Sequence, residues 1–400
     1  MNKKLNTFTL SGLIIGPILG SGVILLPPLL FDIVGNYSLA IWIIISILGF
    51  AFALIFGKLA ILFPGDGGVS LATNKAMGKK YQLLTSFYLI FAVFFGPIAV
   101  LLTAASFIEE FFHGTHIAIL TFGLYLITYL LLTIKIDFLG KLMLLVTSLA
   151  TIIFLASSIT VLWQVDSFVL NLPTFNMPDI GYSFLLVFWA IVGWEVIGNY
   201  SADVEDTKTI TYSVIFSVIV VSLVYILVAS AICFGDFTHK GDEAFKLVWI
   251  IEPLFKEYAN TILTTITLFL CIGAIILFIG GVARLISSLK LSKYTSKHIS
   301  SGAPIGALNF LALVHMVTLL FVYLDIFSIA NLVAFADGFF IANAIIGLIT
   351  AIMLFENGIL KYSSYILVVL FFAILLFSNI FILSVIASLF IFTYLKKEKS

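Results

Sequence analysis

Charge is what this chain has least of: 10% of its residues are charged against 62% hydrophobic, and the mean hydropathy is +1.23. Soluble domains carry about 25% charged residues, so a soluble globular protein is excluded and an integral membrane protein remains. The 20 basic and 20 acidic residues cancel, which leaves no electrostatic footprint for nucleic acid. Arg284 is the only arginine. Near a span end it either pairs with an acid at the inner side or snorkels to the interface. Cysteine is nearly absent too. Cys233 and Cys271 both fall inside apolar stretches, which excludes a disulfide framework or a metal cluster and makes both packing residues. No His-Glu-x-x-His, Walker loop or serine-hydrolase elbow occurs, so metalloprotease, ATPase and hydrolase chemistry have no motif, and neither enzyme activity nor a cofactor is expected.

What the chain has in abundance is long apolar runs. A span needs about 20 apolar residues, and ten candidates run Phe8–Phe31, Leu39–Phe63, Leu83–Phe107, Ile117–Ile134, Leu142–Trp163, Ser183–Tyr200, Tyr212–Phe234, Ile262–Leu289, Ile305–Tyr323 and Ile329–Phe355. A further block, Ser364 to Leu395, is interrupted at Ser378-Asn379 and reads as two short helices. Lys3 and Lys4 precede a first run too long for a signal peptide and without a small-residue cleavage site, so it is read as retained. With twelve spans and a cytoplasmic amino terminus, only Lys240, Lys246 and Lys256 lie outside, and the other 17 basic residues lie inside. That asymmetry is what the positive-inside rule expects, and it places both termini in the cytoplasm. In the long outer connection, Phe245, Val248, Ile251, Leu254 and Phe255 recur at helical spacing, which predicts an interfacial or gate-covering helix.

Two of the runs are flawed in the same way. Gly20-Ser21-Gly22 interrupts the first, flanked by Pro17, Pro27 and Pro28, and Val192-Gly193-Trp194-Glu195 interrupts the sixth. In lipid an unpaired backbone group costs several kcal/mol, so irregular backbone survives only where it lines a cavity. Paired breaks in two halves of a chain point to a transporter's binding site. They divide the chain into units 1–165 and 166–356, related by inversion because each holds five spans, with 357–400 as an addition. Freed amides at Gly20, Ser21, Gly22 and Val23, at the positive end of the following half-helix, suit a substrate carboxylate. Gly12 and Gly16, four residues apart, read instead as a close-packing stripe.

Intramembrane polar groups supply the remaining candidates. Glu195 sits beside the second break, where a charge costs roughly 3 kcal/mol. It is either a proton carrier or a neutral latch on the broken backbone. Asp337, in Ala334-Phe335-Ala336-Asp337-Gly338, is either its partner in a proton relay or the cap of a kink, and Gly338 hints at a third irregularity. Trp189 is either a gate or a packing residue. His315 reads as a satisfied core residue.

Three segments then carry a resemblance: Gly20-Ser21-Gly22-Val23 with Pro27; Phe63-Pro64-Gly65-Asp66-Gly67-Gly68-Val69; and Phe188-Trp189-Ala190-Ile191-Val192-Gly193-Trp194-Glu195. In these the chain resembles the amino acid-polyamine-organocation (APC) superfamily over nearly its whole length, and within it the bacterial exporters of methionine and branched-chain amino acids. The resemblance implies an all-α integral membrane protein of the five-plus-five inverted-repeat fold, with twelve transmembrane helices of which the first and sixth are discontinuous. It implies that Gly20 to Val23 bind the substrate's carboxylate, that Ile191, Val192 and Gly193 receive its amino group, and that Trp189 closes the outer path. The expected function is secondary transport of neutral amino acids across a bacterial cytoplasmic membrane, coupled to protons through Glu195 and Asp337. An uptake permease or exchanger of the same fold, and an amino-acid sensor without flux, are the alternatives.

The sequence also departs from the family's pattern. Asp203-Val204-Glu205-Asp206-Thr207-Lys208 lacks the usual basic, proline-containing stretch after span six, which points to a different inner gate. Val146-Thr147-Ser148-Leu149-Ala150 puts alanine where some relatives have a lysine, and Cys271-Ile272-Gly273-Ala274-Ile275 offers no Ser or Thr pair, which together disfavour sodium. Asp337 stands where the nearest relatives have a neutral polar residue.

Overall fold

The computed structural model describes residues 5–64, 69–109, 112, 114–133, 137–170, 172–194, 201, 204, 206–237 and 247–395, without the side chains of residues 13 and 137–143. The described residues form fifteen α-helices: α1 Thr7–Leu19, α2 Gly22–Val34, α3 Tyr37–Leu62, α4 Val69–Met77, α5 Lys79–Ile108, α6 Ile117–Leu132, α7 Asp137–Trp163, α8 Met177–Val187, α9 Thr207–Phe234, α10 Val248–Phe255, α11 Ala259–Ser288, α12 Ile305–Tyr323, α13 Ile329–Leu354, α14 Ile359–Leu375 and α15 Ile380–Leu395. Eight segments are long and apolar enough to cross a membrane, α1 with α2 and α10 with α11 each counting as one. Four shorter apolar helices accompany them, at Ile117–Leu132, Met177–Ile191, Ile359–Leu375 and Ile380–Leu395.

Which helices sit inside follows from what they show to the outside. The apolar windows of α1–α2 and α13 are 82% and 83% buried, while that of α7 is 33% buried. The core is therefore built on α1–α2, α13 and α5, which packs along α13, with α7 at the periphery. Large aliphatics such as Leu130, Ile152 and Val369 are more than half exposed. In lipid that is the stable arrangement, because the solvent is as apolar as the core.

Some helix starts are capped by local side chains. Asn6 and Thr9 form a reciprocal capping box at α1, as Ser328 and Asn331 do at α13. The Asp206 carboxylate accepts the Thr209 amide at 2.7 Å at the start of α9, and that bond holds its pKa below the usual carboxylate range. A depressed folded-state pKa gives stability that is present above the unfolded value of about 3.9 and lost as pH falls through the folded value. Asp206→Ala is accordingly expected to lower the thermal midpoint at pH 7 and to match the wild type once the carboxylate is protonated. A midpoint difference that persists unchanged at acidic pH would rule out the cap as its source.

Three expectations need correction. Span six begins at Met177 rather than Ser183, because a proline in the first turn starts a helix well before the densest apolar run. Gly338 makes no irregularity: α13 is continuous through Asp337 and Gly338. A Cβ at residue 338 would lie 2.7 Å from Ile382 and 2.9 Å from Ser378, so the glycine admits the close approach of α15. In the outer connection, α10 buries Trp249, Ile250 and Ile251, and Leu254 is 42% exposed. Its packing against α7, α11 and α9 rotates the buried face away from the stripe read from spacing. Three local features match the expectation. Ser378-Asn379 separates α14 from α15, and both cysteines are buried and free. A Cβ at Gly12 would lie 2.3 Å from Leu144, and one at Gly16 2.8 Å from Thr147, so both glycines serve the close packing of α1 on α7.

Candidate functional site

The first break is a turn of two residues. Gly20 leaves α1 at φ +28° and ψ −128°, a left-handed conformation that strains any residue with a Cβ, and Ser21 then opens α2. The carbonyls of α1's last turn lose their helical donors at such an end. Tyr225 of α9 restores one of them: its Oη donates to the Ile18 carbonyl at 3.0 Å, fully buried. Trp42 of α3 stacks on the Tyr225 ring at 4.4 Å and 10°. On the other side of the turn, the Gly22 and Val23 amides belong to the first turn of α2, where no intrahelical acceptor exists.

The second break comes in stages. After Val187 the chain tightens into a 3-10 turn, Phe188–Ile191. Val192 then becomes extended (φ −71°, ψ 134°), and Gly193 takes φ +119°. The Val192 amide bonds back to the Trp189 carbonyl at 3.3 Å. Residues 195–200 lie outside the described residues, and Glu195 with them.

Folding brings the two breaks together. A Cβ at Gly193 would lie 3.0 Å from Ile18, and one at Gly22 would lie 3.4 Å from Trp189 Cδ1. Trp189 is 8% exposed. It lies between Gly22, Gly96 of α5 and Phe340 of α13, whose ring it meets edge-on at 6.1 Å. Ile191 points away from this contact, toward Gly49 of α3. Behind it a small recess is lined by Trp42, Ile45, Gly49, Ile191, Trp194 and Tyr225. Ala274 stands beside Gly20 and the Tyr225 hydroxyl beside Gly22, while Ala336 lies with Trp189 against Gly96 and Phe278 packs on Phe340, so a polar ligand there meets backbone amides and one phenol among apolar side chains. Among the described residues no group of His, Cys, Asp or Glu is arranged to hold a metal ion.

Asp337 is fully buried on α13, three residues before Phe340, within electrostatic reach of Tyr182 on α8. Tyr182 lies in the unbroken part of α8, two helical turns before Trp189 in sequence. His315 is a satisfied core residue, as read: Nε2 lies 2.7 Å from the Val93 carbonyl and Nδ1 3.0 Å from Tyr125 Oη. Arg284 is exposed near the end of α11, which favours snorkelling over burial with an acid.

Sequence reasoning missed Tyr225, Trp42, Gly96 and Phe340. Tyr225 did leave a signal, because a phenol deep in an aliphatic run must find a hydrogen-bond acceptor there. The other three left none, since glycine and aromatics are common throughout these spans.

The profile of a family described as amino acid permease matches residues 5–394. The L-methionine/branched-chain amino acid exporter of Escherichia coli is 24% identical over 346 residues, covering 82% of this chain and 81% of that protein. An uncharacterized amino acid permease of Bacillus subtilis is 22% identical over 292 residues, 70% of this chain and 67% of that one. A cadaverine/lysine antiporter of Escherichia coli is 34% identical over 112 residues, 28% of this chain and 24% of its own length. Among solved structures, the manganese transporter of Eremococcus coleocola superposes with a TM-score of 0.64 at 14% identity, covering 97% of this chain and 94% of that one. At that identity the likeness concerns the fold.

Proposed function

Since this chain belongs to the amino acid permease family, we propose that it is a secondary active exporter of neutral apolar amino acids, namely methionine, leucine, isoleucine and valine, working by alternating access in exchange for protons. The observation that carries this reading is the junction of the two breaks, where the Gly22 and Val23 amides open α2 and Gly22 lies beside Trp189 and the Tyr225 hydroxyl. Backbone amides at a half-helix N-terminus suit a carboxylate. Walls of Ala, Phe and Gly suit an uncharged side chain. The substrate class printed for the Escherichia coli exporter, which aligns with most of this chain, agrees.

In this reading the eight long and four shorter apolar helices are twelve spans, with both termini cytoplasmic in a bacterial inner membrane. Units 1–165 and 166–356 form the inverted repeat, and 357–400 adds the last two spans. Gly20, Ser21, Gly22 and Val23 hold the carboxylate; Ile191, Val192 and Gly193 accept the amino group; Trp189 closes the outer path; Glu195 and Asp337 carry protons. Direction is set by the gradients, because alternating access is reversible.

Purified protein in liposomes is expected to accumulate labelled methionine or leucine under an imposed pH gradient, and to lose that uptake when a protonophore collapses the gradient. Uptake that is indifferent to the protonophore would remove proton coupling, and absence of any amino-acid flux would remove the transport reading. The segment shared with the cadaverine/lysine antiporter favours a second reading, exchange of one amino acid for another. Liposomes preloaded with unlabelled methionine distinguish the two, since obligatory exchange gives no uptake into empty vesicles.

A further inference from the structure

Pro97 lies inside α5. It has no N–H, so the carbonyl four residues earlier, Val93, loses its helical donor. Val93 is 1% exposed, so no solvent replaces that donor. His315 of α12 does: its Nε2 lies 2.7 Å from the Val93 oxygen. A carbonyl only accepts, so Nε2 bears the hydrogen. In the neutral imidazole Nδ1 is then an acceptor, and Tyr125 Oη of α6 donates to it at 3.0 Å. One turn further along α12, Thr318 Oγ1 donates to the next carbonyl, Phe94, at 3.2 Å. Two consecutive carbonyls at the proline are thus held from a neighbouring helix.

The same segment also meets the candidate site. A Cβ at Gly96 would lie 3.0 Å from Trp189 Cη2 and 3.6 Å from Ala336, so Trp189 rests directly on the backbone beside Pro97. We propose that His315 is a positioning residue that stands in for the amide Pro97 lacks, fixes the course of α5 at Gly96-Pro97 and thereby sets the seat of Trp189, with Tyr125 orienting the imidazole. The hydrogen-bond substitution stands on geometry alone; its consequence for transport rests on Trp189 closing the outer path.

Full-length protein separates the two claims. His315→Leu removes the donor and is expected to lower the thermal midpoint by several degrees and raise the KM for methionine counterflow about tenfold, the scale of one unmade buried hydrogen bond. His315→Gln, whose amide nitrogen reaches as far as Nε2, is expected to keep both near wild type. Adding Pro97→Ala to His315→Leu returns an N–H to the helix opposite the Val93 carbonyl, so the double variant is expected to regain the midpoint lost by the single one. A double variant no more stable than His315→Leu overturns the substitution, and His315→Leu with an unchanged KM overturns the positioning role. If His315→Leu alone does not fold, folding of the double variant supports the proposal and its failure to fold sinks it. A wild type without methionine flux counts against the transport reading, and the thermal comparison still decides the hydrogen bond.

Discussion

Gly22→Ala is expected to weaken amino-acid binding sharply, and Tyr225→Phe in the same chain is expected to restore part of it. On propensity alone the first change is favourable, because Ala is better than Gly in a helix by about 1 kcal/mol. The site reverses the sign. The added Cβ would lie 2.4 Å from Tyr225 Oη and 3.4 Å from Trp189 Cδ1, so it is caught between two buried rings. The phenol cannot simply swing away. Its oxygen is bound to the Ile18 carbonyl at 3.0 Å, and its ring is stacked on Trp42. Overpacking of this kind costs about 1–3 kcal/mol, and it moves the two side chains that frame the Gly22 and Val23 amides. A loss of ligand affinity of between about 5-fold and about 150-fold follows.

Tyr225→Phe removes the atom in the way, since the next ring atom, Cζ, is 3.6 Å from the added Cβ, an ordinary contact. By itself it also strips the Ile18 carbonyl of its donor, at a cost of about 1–3 kcal/mol. Both single variants are therefore expected to be impaired, and the double variant to be less impaired than their sum. Thermal midpoints and methionine affinities of the four proteins make the comparison. Strict additivity would show that Gly22 is required for a reason other than its contact with Tyr225.

Glu195→Gln and Asp337→Asn are each expected to abolish uptake driven by a pH gradient while leaving methionine counterflow. Both changes keep the side chain's size and remove only its ability to exchange a proton. Counterflow needs substrate movement without net proton transfer, so it separates a coupling residue from a structural one. Asp337 adds a thermal test. It is fully buried, and a charge in the membrane interior costs roughly 3 kcal/mol, so a neutral isostere is expected to leave the midpoint unchanged or raise it. A variant that loses counterflow and stability together would make Asp337 a structural residue of α13, and undiminished gradient-driven uptake in either variant would remove that acid from coupling.

The class of the protein, the places where its helices break and the glycines that pack α1 on α7 can all be read from the residues alone. Those features are legible because the bilayer imposes a local rule: each spanning segment must satisfy its own backbone, so apolar length marks a span and clustered Gly and Pro mark a failure of it. What repairs each failure, and what surrounds it, emerges with the packed bundle. Tyr225 reaches the Ile18 carbonyl across 207 residues, and His315 reaches the Val93 carbonyl across 222. Gly96 touches Trp189, and Gly338 admits α15 where an irregularity had been expected. A missing hydrogen bond is written where the proline or glycine stands. Its replacement comes from whichever helix packs alongside, and that choice is made by the fold of the whole bundle.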